Sequence, residues 1–416
     1  MRKRVVITGL GTVNPLGLDT SSTWENLLNG KSGIGEITHF DAGEYKTRIA
    51  AEVKGYNAAE IFGVKEQRRL DRVSQFALSA SSQALDDCGL IISDENRRRI
   101  GAVVGTAIGG MGTFFEQSNL LVQKGPGKVS PFMVPMILPD TPGGMIALNL
   151  GIQGPNFAVV TACATGTNAI GEAAEVIRRG QADVMFAGGS EASIIPPFIA
   201  GLASMTAMST NNDAPLQASR PFDLNRDGFV MGEGAAILLL ESLDHALSRN
   251  AKIYAEITGY GSSNDAYHIT APPDNGSGAV DCMQMSLDNA QLASSEITYI
   301  NAHGTSTPIN DKTETIAIKT VFGEKAYVIP VSSSKSMTGH MMGATGAIEA
   351  LFCAKAIQTN MVPPTINYDT PDPECDLDYV PNEKRELKVK HAMSNSFGFG
   401  GHNATIIISK YQEATE

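Results

Sequence analysis

The sequence is poor in cysteine and tryptophan, and it has no long apolar run. Its 416 residues include five cysteines and one tryptophan. The cysteines are odd in number, widely scattered and without a CxxC pair, which argues against both a disulfide framework and a zinc site. No segment approaches the roughly 18 unbroken apolar residues that a membrane helix requires. We therefore expect neither a membrane span nor a disulfide-stabilised fold.

Basic residues are also in the minority, since 32 Lys and Arg stand against 44 Asp and Glu, a formal net charge of −12. A nucleic-acid partner is not expected, because phosphate binding requires a basic surface. The apolar stretch after the basic first residues stops at Thr8 and Gly9, too soon for a signal peptide. The expected location is the cytoplasm, or the plastid stroma if the protein is organellar.

A repeated pattern divides the chain into two halves. Residues 7–11 read ITGLG and residues 257–261 read ITGYG, and later GEGAAILL at 232–239 is matched by GHNATIII at 401–408. Two matches in the same order indicate that one unit has been duplicated. We predict an N-terminal half over residues 1–250 and a C-terminal half over residues 251–416.

Short β-branched runs alternate with longer helical stretches in both halves. This alternation predicts an α/β fold with largely parallel sheets that are buried on both faces. Helices rich in small residues, such as 164–174, suit the space between two close layers. We therefore expect a five-layered αβαβα sandwich, with two sheets around a central helical layer. The extra segments 109–144 and 192–227 of the first half are expected to form a lid or an interface.

One predicted strand-to-helix junction places a cysteine at the start of a helix. A strand at 157–160 is followed by Cys163 and then by a helix that ends near Gly180. At a helix N-terminus the free N–H groups and the macrodipole favour a thiolate, and the same amides could hold an oxyanion. Cysteine is also among the most buried residue types, so the local pattern fits a structural cysteine equally well.

Two histidines stand in polar loops after predicted strands. His303 lies in NAHGTSTP at 301–308, and His340 ends KSMTGH at 335–340. Catalytic groups are often presented at strand ends, although a single loop histidine is more often structural. In the duplication, the loop of His340 occupies the place that Cys163 has in the first half. A pseudo-twofold axis would therefore bring these two residues together.

Two charged residues and a glycine-rich loop surround the second motif. Lys335 and Glu349 lie among small or apolar neighbours, where an unpaired charge is costly. The segment NSFGFGG at 395–401 alternates Phe with Gly, which suits either a mobile gate or a simple connection.

Taken together, these motifs resemble the β-ketoacyl-[acyl-carrier-protein] synthases, most closely those of type II. The resemblance covers about residues 3–410, in family order and spacing, and also includes TACATG at 161–166 and RDGFVMGEG at 226–234. It implies a thiolase-like αβαβα sandwich, a homodimer and no required cofactor. The implied reaction condenses a cysteine-bound acyl chain with malonyl-[acyl-carrier protein], giving 3-oxoacyl-[acyl-carrier protein], CO2 and free carrier in fatty acid elongation.

The resemblance also implies a role for each matching residue. The catalytic groups would be Cys163, His303, His340 and Lys335. The oxyanion hole would be formed by the amides of Cys163 and Phe399, with Phe399 as the gate. The supporting acidic groups would be Asp311, Glu314 and Glu349. The contacts to the acyl chain and the pantetheine arm would be Ile108, Thr270, Thr305 and Thr307. The acidic carrier protein would dock on Lys65, Arg68 and Arg69, although these could equally be a solvated helix face.

Four other classes of protein fit the sequence motifs less well. A thiolase should have a second cysteine where His340 stands, and a chain-initiating synthase should have Asn there. A non-catalytic chain-length partner would lack Cys163. A dinucleotide-binding dehydrogenase is suggested by Gly9 and Gly11, but the sixth position of its motif is Asn14 rather than Gly.

Overall fold

The computed structural model describes residues 3–413. The strands are β1 (Val5–Val13), β2 (Gly35–Glu36), β3 (Ile49–Ala50), β4 (Ile100–Gly105), β5 (Asn156–Phe157), β6 (Val184–Glu191), β7 (Gly234–Ser242), β8 (Ala255–Asn264), β9 (Tyr299–Asn301), β10 (Val331–Ser332), β11 (Met361–Val362), β12 (Arg385–Glu386), β13 (His391–Gly398) and β14 (His402–Ser409). The helices are α1 (Thr20–Leu28), α2 (Ala58–Phe62), α3 (Val64–Gln67), α4 (Arg72–Cys88), α5 (Met111–Lys124), α6 (Met133–Ile137), α7 (Thr141–Leu150), α8 (Thr165–Arg178), α9 (Pro196–Ser204), α10 (Leu243–Ser248), α11 (Ser277–Ala290), α12 (Pro308–Phe322), α13 (Lys335–Thr338) and α14 (Thr345–Thr359).

The order of the strands repeats between the halves. Within residues 3–413, ten strands are hydrogen-bonded in the order β10-β9-β13-β14-β8-β1-β7-β6-β4-β5. Read outward from the centre, β8 corresponds to β1, β14 to β7, β13 to β6, β9 to β4 and β10 to β5. The two expected sheets are therefore present, and they are joined edge to edge where Val6 pairs with Glu256 and Ile7 with Ala255. The predicted division at residues 250 and 251 falls between α10 and β8 and stays a prediction.

The expectation of largely parallel sheets was wrong for the inner strands. In the first half β4 runs parallel to β5 and β6, whereas β7 is antiparallel to both β6 and β1. The second half repeats this mixture. Strands that are buried on both faces have continuous apolar sequences in either orientation, so composition alone could not separate the two cases.

Small side chains allow two helices to pack closely as the central layer between the strands. Helices α8 and α14 contact each other and strands of both halves, which makes them the central layer. Their backbones approach closely, since a Cβ on Gly166 would lie 2.6 Å from the Ala347 nitrogen. Helices α4 and α7 cover the outer face of the first half, and α11, with α12 packed against it, covers that of the second. The five-layered thiolase-like arrangement is confirmed.

The repeated glycines of the two halves have the same structural role. A Cβ on Gly9 or Gly11 would lie 2.2 or 2.0 Å from a carbonyl oxygen of α4. A Cβ on Gly259 or Gly261 would lie 2.3 or 2.2 Å from a carbonyl oxygen of α11. Because β1 and β8 each lie directly against their covering helix, only glycine fits at these positions. Among the described helices, none is long and apolar enough to cross a membrane.

Candidate active site

Cys163 lies in a short 3₁₀ turn, Ala162–Ala164, that leads directly into α8. The residue before it, Ala162, has a φ of 49°, a left-handed conformation that is strained for any residue with a side chain. The Cys163 side chain is 5% exposed. The turn therefore holds the sulfur, as predicted, at the N-terminal end of the central helix.

Two backbone amides are directed at this sulfur, those of Phe399 and of Cys163 itself. The loop of Phe399 lies close to the turn, because a Cβ on Gly398 would be 3.0 Å from the Cys163 nitrogen. Two N–H donors that converge on one point can also bind a developing oxyanion. The structure thus brings Cys163 and Phe399 together.

The expected thiolate is not the resting state of this cysteine. Burial raises the pKa of the Cys163 thiol to about 11, although the positive charge of Lys335 and the two amides act in the opposite direction. The free-energy cost of removing a charged sulfur from water is larger here than the stabilisation that the helix N-terminus and the two amides provide. The prediction from helix position alone was therefore wrong, and deprotonation requires a nearby base.

His340 is placed to be that base. Its Nε2 atom lies 3.0 Å from the Sγ atom of Cys163, and its Nδ1 atom lies 3.0 Å from the hydroxyl oxygen of Thr345. Burial, and after it the charge of Lys335, hold the pKa of His340 well below its ordinary value, so the ring is neutral. The resting pair is a neutral thiol and a neutral imidazole.

His303 faces the same space from the other side. Its ring centroid lies 5.5 Å from that of His340, at an interplanar angle of 84°. Its Nδ1 atom is buried and has no hydrogen-bond partner in the part of the chain that the structure describes. Burial first, then Lys335 and His340, hold the pKa of His303 well below its ordinary value. Two uncharged imidazoles therefore share one site with the cysteine.

Lys335 and Glu349 form a buried ion pair, with 2.6 Å between Nζ and Oε1. Their side chains are 1% and 0% exposed. Burial raises the pKa of the Glu349 carboxyl to about 7, while Lys335 acts to lower it. Lys335, the cation of this pair, supplies the positive charge that disfavours protonation of both histidines.

The other two predicted acidic groups hold backbone rather than imidazole nitrogens. Glu314 accepts hydrogen bonds from the amides of His303 at 2.8 Å and Gly304 at 2.7 Å. Asp311 accepts from the amide of Phe222 at 2.8 Å and lies 3.6 Å from the guanidinium of Arg226. Because Asp311 also accepts from the backbone of Thr305, both carboxyl groups fix the loop that carries His303.

The cysteine and the two histidines line one cavity of about 410 Å³, whereas Lys335, Asp311 and Glu349 are not part of its lining. Of the predicted residues, the lining includes Cys163, Thr270, His303, Thr305, Thr307, Glu314, His340 and Phe399. The hydroxyl oxygens of Thr305 and Thr307 lie 2.9 Å apart. Ile108 is not part of this lining, and its amide is instead directed at the carboxylate of Glu191. Aromatic and apolar side chains complete the walls, so the site suits an apolar group close to the sulfur.

The three predicted docking residues lie away from this cavity, on α3 and the turn after it. Arg69 pairs with Glu66 at 3.3 Å, and its guanidinium stacks 5.1 Å from the ring centroid of Phe132. Arg68 lines a second cavity of about 530 Å³. The surface is accessible, but part of its charge is already paired.

Two polar groups at the site were missed from the sequence. Thr345, at the start of α14, is the partner of His340, and a hydroxyl residue at a helix start was the available signal. Glu191 ends β6, in which Ser190 is the only other polar residue, and it is fully buried. A carboxylate at the end of a buried strand was the signal there.

No cluster of three or more His, Cys, Asp or Glu side chains suited to a metal occurs within the described part of the chain. Among residues 3–413, the side-chain oxygens of Asn301 and Ser394 and the Oε2 atom of Glu349 are buried without a hydrogen-bond partner. Oxygen atoms of this kind are the ligands that a hard cation would use.

A duplicated thiolase-like sandwich with a buried cysteine and two neutral histidines defines a carbon–carbon condensing enzyme. The sequence models of the β-ketoacyl synthase N-terminal and C-terminal domains match residues 2–246 and 254–369. This chain belongs to the β-ketoacyl synthase family.

Known relatives match this chain over almost its full length. A 3-oxoacyl-[acyl-carrier-protein] synthase 2 of Synechocystis is 52% identical over 411 residues, 99% of each chain. One of Staphylococcus aureus is 52% identical over 410 residues, also 99% of each. Among solved structures, a ketosynthase of a type II polyketide system, in complex with its acyl-carrier protein, has a TM-score of 0.91 and 38% identity, with 99% of this chain and 100% of that one covered. A β-ketoacyl synthase of Burkholderia phymatum has a TM-score of 0.90 and 36% identity, with the same coverage.

Proposed function

We propose that this enzyme lengthens fatty acyl chains by decarboxylative condensation. The acyl group moves from its carrier to Cys163, and malonyl-[acyl-carrier protein] then adds two carbons to it. The products are 3-oxoacyl-[acyl-carrier protein], CO2 and free carrier. The single observation that carries this function is the 3.0 Å contact between His340 Nε2 and Cys163 Sγ, with His303 facing the same cavity.

In the first half-reaction the thiol of Cys163 must lose its proton as it attacks. His340 takes the proton through Nε2 and returns it to the thiolate of the departing carrier, so the step is balanced. The amides of Cys163 and Phe399 hold the oxyanion of the tetrahedral intermediate. The proton transfer occurs only during attack, because both partners are neutral at rest.

In the second half-reaction the malonyl carboxylate leaves as CO2, and its bonding electron pair forms an enolate. Negative charge then develops on the thioester oxygen, where His303 and His340 donate N–H hydrogen bonds. The enolate carbon attacks the acyl carbonyl, the bond from that carbon to sulfur breaks, and Cys163 leaves as a thiolate that takes up one proton from the solvent. Neutral imidazoles are suited to this task, since each retains an N–H to donate in an apolar cavity.

The Thr345 hydroxyl supports both roles of His340. A hydroxyl can accept from an Nδ1–H group, which leaves Nε2 free to take a proton. It can also donate to an unprotonated Nδ1, which places the N–H on Nε2. The 3.0 Å contact thus allows one ring to be a base in acylation and a donor in decarboxylation.

Four further expectations belong to this proposal. The carrier protein docks on Lys65, Arg68 and Arg69, which offer local positive charge on an acidic molecule. The pantetheine arm passes Thr270, Thr305 and Thr307 in the cavity. No cofactor is required, because decarboxylation supplies the electron pair. The working location is the cytoplasm or the plastid stroma, which fractionation of the source cells would check.

The homodimer is supported by one face of the first half. Strand β5 is the outer strand on that side of the sheet, and Phe157 within it is 39% exposed. Other large apolar side chains of the segment before β5 are also exposed: Phe114, Leu121, Phe132, Val134, Leu138 and Leu148. Exposed apolar area beside a free strand edge is typical of an interface. Sedimentation of the native protein and of Phe157→Lys would test the dimer, with a shift towards monomer expected in the variant.

The experiment that tests the function is the variant Cys163→Gln. It should abolish condensation and still release CO2 from malonyl-[acyl-carrier protein], because decarboxylation depends on the two histidines. Release of labelled CO2 and formation of the 3-oxoacyl product would be measured in parallel. Full condensing activity without the sulfur would contradict the proposal.

A further inference from the structure

Glu191, the last residue of β6, is a fully buried carboxylate that the proposed reaction does not use. Its Oε1 atom accepts from the Thr106 hydroxyl at 2.9 Å. Its Oε2 atom accepts from the amides of Ala107 at 2.8 Å and Gly343 at 3.0 Å, and the Ile108 amide also donates to the carboxylate. Every one of these partners is a donor. A carboxylate fits here because it accepts several hydrogen bonds at once.

The donors come from two segments that are far apart in sequence. Residues 106–108 follow β4 in the first half, whereas residues 342–344 lie between His340 and α14 in the second. The segments touch, because a Cβ on Gly343 would lie 2.5 Å from the Ala107 nitrogen and 2.9 Å from Glu191 Oε2. Glu191 therefore joins the two halves directly behind the reaction centre.

The joined segments form part of the apolar surroundings of the nucleophile. Met342 belongs to the same buried cluster as Cys163, and Ala107 packs against that cluster. The cluster also contains Ile199, Leu202, Met208 and Phe229. Phe229 and Met342 of this cluster also line the cavity at Cys163, so an acyl chain that extends from the sulfur into the cluster would lie against these side chains. Residues 106–108 are not in the cavity lining themselves, but Ala107 lies against Gly343, the neighbour of Met342, so the two segments together fix where Met342 lies in the wall.

We propose that Glu191 is a positioning residue that fixes this wall and so determines which acyl chain lengths reach Cys163. The inference rests on the proposed function and adds a determinant of specificity to it. A short acyl group ends near the sulfur and depends little on the wall. A long chain must pass it, so loss of the carboxylate disfavours long chains selectively.

The test compares Glu191→Ala and Glu191→Gln with the native enzyme. Transfer of butyryl and of myristoyl groups from carrier to Cys163 would be followed by intact-protein mass spectrometry. Glu191→Ala should lower the ratio of long-chain to short-chain rates by about tenfold or more, the discrimination that one methylene group supplies in an apolar pocket. Glu191→Gln should keep most of the native ratio, because its amide oxygen can still accept from Ala107 and Gly343.

A matched control and a milder variant keep the test decisive. Glu52 is also a buried carboxylate that accepts from backbone amides, those of Thr38 and His39. Glu52→Ala should leave the ratio unchanged. Thr106→Val preserves side-chain volume and removes one donor, so it should shift the ratio in the same direction as Glu191→Ala but by less, even if the alanine variant folds poorly.

An equal loss for both chain lengths would overturn the proposal, as would an unchanged ratio in Glu191→Ala and Thr106→Val. A change in Glu52→Ala as large as that in Glu191→Ala would overturn it too. Failure of the condensing function itself would appear in the native protein, as absence of an acyl group on Cys163. Failure of the Glu191 role would appear only in the ratio between variant and native enzyme.

Discussion

The Nε2 atom of His340 lies 3.0 Å from the Sγ atom of Cys163, and both groups are neutral at rest. This contact joins the first half of the chain to the second across the central layer. The duplicated fold therefore supplies a nucleophile from one copy and its base from the other. The reactivity of the sulfur is set by this partner more than by the helix on which it lies.

Alkylation of Cys163 by iodoacetamide should accelerate steadily with pH. Burial raises the pKa of the thiol to about 11, so the thiolate fraction grows about tenfold per pH unit across the neutral range. The measurement is the rate of modification from about pH 6 to 9, set against that of a simple thiol under the same conditions. A plateau reached below pH 7 would instead indicate a preformed thiolate–imidazolium pair.

Thr345→Val should slow both half-reactions, since Nδ1 of His340 would lose its hydrogen-bond partner. A buried polar atom without a partner costs about 1–3 kcal/mol. If this whole free-energy cost is present in the transition state, the rate falls by roughly 5- to 150-fold. Thr345→Ser keeps the hydroxyl and should recover most of the activity. Equal activity of Val and Ser variants would remove Thr345 from the mechanism.

Lys335→Met should destabilise the fold, because Glu349 would be left buried without its counter-ion. Breaking a buried ion pair costs about 3–5 kcal/mol. The pKa of Glu349 is already raised to about 7, and a protonated carboxyl needs no counter-ion, so the loss should be smaller below pH 7 and larger above it. Chemical denaturation at two pH values would measure this.

The double variant Lys335→Met with Glu349→Leu should recover most of that stability, since no isolated charge remains in the core. Its condensing activity should stay low, because the positive charge beside the two histidines is absent. Recovery of activity together with stability would show that the pair is only structural.

Charge reversal at Lys65, Arg68 and Arg69 should raise the KM for carrier-bound substrate and leave that for a coenzyme A thioester unchanged. The reason is that only the acidic carrier protein requires the basic surface. Reversal of Lys384, Lys388 and Lys390, which are also exposed, makes the same change in net charge and is the matched control. An equal effect of the two triple variants would contradict a specific docking surface.

The residues of the site could be predicted from the sequence, whereas the protonation state of Cys163 could not. Cys163 and His303 follow strands and His340 follows the short helix α13, and the duplication indicated that Cys163 and His340 would meet. The orientation of the inner strands was missed, because burial on both faces gives the same composition in parallel and antiparallel strands. Glu191 was missed because its donors, near residues 107 and 343, are distant in sequence.

By itself, the sequence determined the duplicated layered fold and the residues that face the substrate. Apolar periodicity, glycine at the strand–helix contacts and the motifs around Cys163 and His340 are local properties that can be read along the chain. Only the tertiary structure decided the protonation states, the pairing of β1 with β8 and the link through Glu191. These depend on how much water is excluded and on distances between separate segments, which no local pattern specifies.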